Sequence, residues 1–199
     1  MSQDPIQPVN PLREAEIVAA TIGTPELLNS TVYLAEYDPI WPQIFSQLAD
    51  DIHAVLGENV CLLEHVGSTS VPGLAAKPII DMLLAVTDSS KEATYVPQLE
   101  TLGYTLKARE PDWFEHRVLK LPDPKVNLHV FSAGCEEIQR MIAFRDWLRN
   151  HSEDKQQYET TKRQLAQQTW KRIQHYADAK SEVVQEIMSR AYPKLREGR

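Results

Sequence analysis

The stretch EHVGSTSVPGLAAKPIIDMLLAV, residues 64–86, decides the reading of the fold. Two apolar runs flank a segment rich in Gly, Ser, Thr and Pro, which predicts strand, tight turn, small-residue loop and second strand. Residues 79–86 are all apolar except Asp81, and a strand apolar on both faces is central to its sheet and covered on both sides. A carboxylate in such a strand costs several kcal/mol unless it meets hydrogen-bond donors, a cation or a metal, or lies at the strand's open end. Gly67 permits a close approach or a positive φ, and Ser68, Thr69 and Ser70 place hydroxyls beside backbone amides, a common construction for an anion cradle. Two readings stand side by side: a phosphate and metal site, or a hairpin-like turn with an N-capping serine and a structural aspartate.

Upstream, Asn10 and Pro11 read as the N-cap and first position of a short helix over 12–20, ended near Gly23. The three prolines of residues 1–12 predict a mobile or extended surface segment before it. Residues 31–37 read as a first edge strand. Asp38 and Pro39 open a helix that runs to Leu56, because Ile40, Ile44, Leu48, Ile52 and Val55 recur at helical spacing and Gly57 closes it. Trp41 and Phe45 widen its apolar face and follow the packing stripe.

Downstream, Ser89 or Ser90 is expected to cap a helix to Leu102, with Gly103 as its stop, followed by a strand over 104–107. Residues 114–121 and 126–131 then read as a hairpin across 122–125, which brings Arg109, Arg117, Lys120 and His129 near one another. Arg117 points either into a cleft or into solvent. From 136 to 191 helical spacing takes over, with breaks at 150–152 and 170–173, so three helices are expected, the second capped by Ser152. Tyr158, Leu165 and Ala166 mark the buried side of that second helix, and Lys155, Arg163 and Gln167 its wet side. Arg145, Arg149 and Lys162 either close over the cleft or face water. His53, His116, His151 and His175 show no recognisable ligand partner and read as structural or surface histidines.

The chain of 199 residues is long enough to bury a substantial core without staples. Its 28 acidic and 21 basic residues give a net charge of −7, which disfavours sequence-independent binding to nucleic acid. Small-molecule binding ranks ahead of it. The two cysteines, Cys61 and Cys135, are far apart and predict a reduced, cytoplasmic protein. The first residues carry neither a basic nor an apolar leader region, and no run approaches the roughly 18 apolar residues of a membrane span, so no membrane partner is expected. A Walker loop is excluded because five residues separate Gly67 from Gly73 and Leu74 follows. No serine-hydrolase elbow surrounds Ser68 or Ser70, and no dinucleotide-binding glycine pattern occurs.

Several pieces in order make the chain resemble the GrpB family. They are the His65 to Thr69 turn, the Pro72 to Leu74 loop, the Lys77 to Asp81 strand, Tyr37-Asp38-Pro39 with Trp41-Pro42, Leu128-His129-Val130, and the Phe144 to Arg149 run. The resemblance extends over about residues 30–190 and implies an α/β (α+β) nucleotidyltransferase-like fold. On this view residues 1–30 are an extension with a short helix, 31–135 a core with a small mixed sheet flanked by helices, and 136–199 a helical subdomain packed on the core. The wider nucleotidyltransferase pattern pairs Asp81 with a second acid two residues on, so that both carboxylates grip metal ions from one strand face. This chain has Leu83 there. The replacement ligand comes from Asn127 or His129 on the next strand or from Glu64 or His65 before the turn, with His129 preferred because imidazole binds divalent metals and serves as a general base. The implied activity is transfer from a nucleoside triphosphate to a small-molecule acceptor. Gly67, Ser68 and Thr69 contact the phosphates, Lys77, Arg117 and Arg145 balance their charge, and Asp81 with His129 holds Mg²⁺ or another divalent ion as the catalytic pair. A nucleotide- or anion-binding protein without transfer chemistry, and a single-metal phosphohydrolase, are the alternatives.

Overall fold

Five strands, β1 (Leu62–Val66), β2 (Ile80–Val86), β3 (Thr105–Glu110), β4 (His116–Leu121) and β5 (Val126–Ser132), form one sheet in the order β1-β2-β5-β4-β3. The computed structural model describes residues 6–193. Strands β2 and β5 run parallel, and every other neighbouring pair is antiparallel. The unbroken apolar run therefore forms an inner strand, as its composition requires. One face, carrying Met82, Leu84, Leu119, Leu128 and Val130, packs on Ile52 of helix α2 (Trp41–Leu56) and Leu99 of the short helix α3 (Val96–Thr101). The other face, carrying Val66, Leu83, Ala85 and Phe131, packs on Ile138 of helix α4 (Glu136–Asn150).

Helix α1 (Pro11–Ala20) is capped as its sequence dictates: the Asn10 side chain accepts from the Leu12 amide at 3.0 Å. The segment after it pairs Thr21 with Ala108 and so covers the outer edge of β3, where unpaired backbone groups would otherwise invite another strand. Residues 31–37 correct the sequence reading. They form a strap and not a strand, joined to the rest by isolated bridges of Ser30 to Trp170 and Ala35 to Ala76. Helix α2 starts at Trp41 because Asp38 Oδ1 accepts from the Ile40 amide at 2.9 Å and folds residues 38–40 into a turn.

The helix expected from Ser89 begins only at Val96. Ser89 is buried instead, its hydroxyl donating to the Glu115 carbonyl and its amide to Ser132 Oγ, and a 3-10 turn at Glu92–Thr94 intervenes. The last third holds four helices and not three: α4, α5 (Ser152–Ala166), α6 (Ile173–Asp178) and α7 (Ser181–Ala191), the last two parted at Ala179 and Lys180. Ser152 is the first helical residue and makes no capping bond. Val71 and Leu74 from the loop after β1 are buried among Leu148, Tyr158, Val183 and Ile187 of α4, α5 and α7. These helices thus fix the small-residue loop beside β2. No helix among the described residues is long and apolar enough to cross a membrane.

Candidate functional site

Asp81 lies directly opposite Val66 on β1 and Asn127 on β5, at the end of β2 nearest the loop. The loop reaches it through Gly67, which has φ +68° and ψ −171°, a conformation almost confined to glycine. A Cβ on Gly67 would stand 2.5 Å from Asp81 Oδ2 and 2.9 Å from Asp81 Cβ. The backbone of the bend therefore lies against the carboxylate with no space for a side chain between them. Ser70 closes the turn, its hydroxyl donating to the Gly67 carbonyl at 2.6 Å.

Asn127 Nδ2 donates to Asp81 Oδ1 at 2.8 Å. His129, two residues along β5 and so on the same face, places Nε2 3.9 Å from Oδ1. That is beyond hydrogen-bond distance. Side chains of Asp81 and His129 are 30% and 25% exposed, so the gap between them opens to solvent. Burial works against ionisation of Asp81, but His129, Asn127 and Lys77 more than offset it and hold the carboxyl below its usual range. The site keeps its negative charge at neutral pH.

Above the carboxylate the charge changes sign. Lys162 of α5 is 2% exposed, and its Nζ donates to Ser68 Oγ at 3.0 Å and to the Ala75 carbonyl. With one of its two lone pairs accepting from the ammonium, Ser68 keeps its hydroxyl proton for a ligand. Lys77 and Lys180 stand over the Tyr176 ring, 5.6 and 4.8 Å from its centre, and Lys162 stands 4.8 Å from the centre of Tyr158. Neither Lys77 nor Lys180 forms an ion pair among the described residues. Burial, reinforced by the neighbouring Lys180, lowers Lys162 to about 7 and Lys77 to about 8, with Asp81 opposing the shift at Lys77. Three ammonium groups held together this way are stabilised by an anion that shares them.

Gly67, Ser68, Lys77, Asp81 and His129 are thus brought together. The other expected site residues are not. Arg117 pairs across the sheet with Val130 and not His129, which puts it on the α2 face, where it is buried and donates from Nε to Glu92 Oε1 at 2.6 Å. Arg109 binds the same Glu92, so the expected cluster of Arg109, Arg117, Lys120 and His129 is divided between two faces. Arg145 is buried and occupied, donating to Glu64 Oε2 at 2.6 Å, to the His65 carbonyl and to Asp146, so it clamps α4 to β1. Thr69 is turned inward, its hydroxyl contacting His65 Nε2 and the Ile79 carbonyl. His65 itself faces α2, stacked on Phe45, and is lowered to about 4 by burial, with Asp81 opposing. Arg149 donates twice to the Ser70 carbonyl and steadies the loop.

Two residues that no motif or spacing marks out, Glu110 and His116, complete the arrangement. His116 Nε2 lies 3.1 Å from His129 Nδ1, and His116 Nδ1 lies 2.7 Å from Glu110 Oε2. Among the described residues no three His, Cys, Asp or Glu side chains converge on a common metal position. The donors that do converge, one carboxylate and one imidazole beside an open gap, fit a cation whose remaining ligands are phosphate oxygens and water.

A family model described as GrpB protein matches residues 31–190. A UPF0157 protein of Halalkalibacterium halodurans is 58% identical over 181 residues, covering 91% of this chain and 93% of that one. The crystal structure of the conserved protein GrpB from Enterococcus faecalis matches with a TM-score of 0.70 at 34% identity, over 82% of this chain and 99% of that one. A dephospho-CoA kinase of Mycolicibacterium paratuberculosis is 25% identical over a segment covering 87% of this chain and 49% of the kinase.

Proposed function

This chain belongs to the GrpB family, and from its Asp81 cleft we propose a metal-dependent nucleotidyltransferase that takes a nucleoside triphosphate and a small-molecule acceptor. One observation carries the reading: the Asp81 carboxylate lies against the backbone of a glycine-serine bend whose Ser68 hydroxyl is held by Lys162. A triphosphate satisfies the lysines. Lys77, Lys162 and Lys180 neutralise its oxygens, and the free hydroxyl proton of Ser68 orients one of them. Asp81 and His129 would hold a divalent cation, which when bound offsets the charge that develops on the phosphates. The hydroxyl or amine of the acceptor attacks the α-phosphorus in line and gives its proton to water, while the bridging bond from the α-phosphorus to the β-phosphate oxygen breaks and pyrophosphate leaves.

Isothermal titration of ATP with and without Mn²⁺, on the native protein and on Asp81→Asn, tests the assignment. The native protein is expected to bind more tightly with metal, and the variant to lose that gain, at least about tenfold in affinity or 1.4 kcal/mol. Metal-dependent binding untouched by the substitution would remove Asp81 from the role.

A second reading has its own observation. Leu83, at the position of the missing acid, is wholly buried beneath Ile138 and packs in the core, so a second carboxylate-bound metal has no ligand there. A protein that binds nucleotide without transfer follows from that. Pyrophosphate release across a panel of hydroxyl and amine acceptors separates the two, since binding with no release favours the second.

A further inference from the structure

His129 is not isolated: it belongs to a row of four groups, Glu110, His116, His129 and Asp81, with a carboxylate at each end and two stacked imidazoles between. The rings lie 9° from parallel with centres 5.2 Å apart. A neutral imidazole has one N–H and one bare nitrogen, so a bond between two imidazoles aligns them, and both protons must point toward the same carboxylate. Distance decides which. At the Glu110 end the contact is 2.7 Å, within hydrogen-bond range; at the Asp81 end it is 3.9 Å, outside it, and Asp81 Oδ1 already accepts from Asn127. Both protons are therefore drawn toward Glu110.

We infer that Glu110 and His116 are positioning residues that hold His129 as its Nδ1–H tautomer, leaving the bare Nε2 and the Asp81 carboxylate as a seat for an imidazole-accepting divalent cation such as Mn²⁺. The choice of cation rests on the function proposed above, and the tautomer does not. Burial keeps His116 below the ordinary imidazole range although Glu110 opposes it, and the His116 hydrogen bond holds Glu110 below the usual carboxylate range. Ligating histidines commonly give their second N–H to a carboxylate, which fixes ring and tautomer; here the connection passes through a second imidazole. A mixed oxygen and nitrogen pair suits Mn²⁺ or Zn²⁺ better than Mg²⁺, which favours oxygen throughout.

The test is ¹⁵N NMR of the metal-free full chain at about pH 8, above the ordinary imidazole range, on the native protein and on Glu110→Gln. In the native protein His129 Nδ1 is expected to resonate as a protonated nitrogen and Nε2 as a bare one. A neutral amide at 110 no longer outcompetes Asp81, so in the variant the row reverses and His129 carries its proton on Nε2. Titration with Mn²⁺ alone, read by electron paramagnetic resonance, is expected to weaken about 10- to 100-fold in the variant. An Nε2–H tautomer in the native protein, or one unchanged by Glu110→Gln, overturns the positioning role. Failure of the native protein to bind Mn²⁺, or equal binding by the variant, overturns the seat. Circular dichroism melting checks that the variant is folded, and His116→Phe, which retains a ring to stack on Phe131, gives the second comparison. If the tautomer follows these expectations while ATP does not bind, the nucleotide reading fails and the positioning role stands.

Discussion

Gly67→Ala is expected to destabilise the protein by about 3–5 kcal/mol and to abolish ligand binding at the Asp81 cleft. Two costs combine. The backbone at Gly67, φ +68° and ψ −171°, is in a region that a residue with a Cβ occupies at about 1–3 kcal/mol. The added methyl would also stand 2.5 Å from Asp81 Oδ2 and 2.9 Å from its Cβ. Rotation of the carboxylate relieves the first contact only by giving up the Asn127 bond, and it leaves the second, because Asp81 Cβ is fixed by a strand paired on both sides. The bend must therefore move. It cannot do so freely, since Ser70 is tied to the Gly67 carbonyl and Arg149 to the Ser70 carbonyl. At roughly 2–4 °C per kcal/mol for a chain of this size, the melting temperature is expected to fall by about 6–20 °C. A variant that melts within about 2 °C of the native protein would mean that the bend and the carboxylate are not in contact.

That contact was legible in the sequence, and the reason is physical. A lone carboxylate in an apolar strand has few stable surroundings, and a glycine-serine bend just before it supplies one of them. The inner position of β2 and the sheet class followed from the same run. His116 was harder to find, because its partners are six and thirteen residues away along the chain and meet it only through the strand pairing. Arg117 was misread although its orientation was available. A hairpin closed across 122–125 sets Val118 opposite His129, so the arginine beside it must face the other way. Ser89 followed the local rule for a helix cap and was overruled by tertiary contacts, its hydroxyl and amide both being used to join β4 and β5. The third C-terminal helix divided at Ala179 and Lys180 because its two halves pack on different partners, Tyr176 of α6 with Trp170 and Ala166, and Val183 and Ile187 of α7 with Leu148 and Tyr158.

Lys162→Met is expected to stabilise the free protein and to weaken anion binding, two effects of opposite sign from one ammonium group. Lys162 is 2% exposed, and burial lowers it to about 7 from its ordinary value of 10.5. At about 1.36 kcal/mol per pKa unit, keeping it charged below pH 7 costs on the order of 5 kcal/mol. Methionine has similar length and no charge to desolvate. Against this, the buried Ala75 carbonyl loses its donor, at about 1–3 kcal/mol, whereas Ser68 Oγ is only part-buried and can turn to water. The net expectation is a gain on the order of 2–4 kcal/mol at pH 6. Between about 7 and 10.5 the unfolded chain binds the extra proton and the folded one does not, so the contribution of this group to native stability rises with pH across that window. The advantage of the methionine variant must shrink over the same interval. Anion binding runs the other way: it needs the ammonium charges of Lys162 and Lys77, whose folded values are about 7 and 8, so ATP affinity of the native protein is expected to fall as pH rises from 6 to 9. In the variant the affinity starts about tenfold or more lower, and the part of the pH slope due to Lys162 is absent. Melting curves and ATP titrations at pH 6, 7.5 and 9 read both signs. A methionine variant that is less stable at pH 6, and binds ATP as the native protein does, would show that Lys162 is a structural tie and not a charge stored for a ligand.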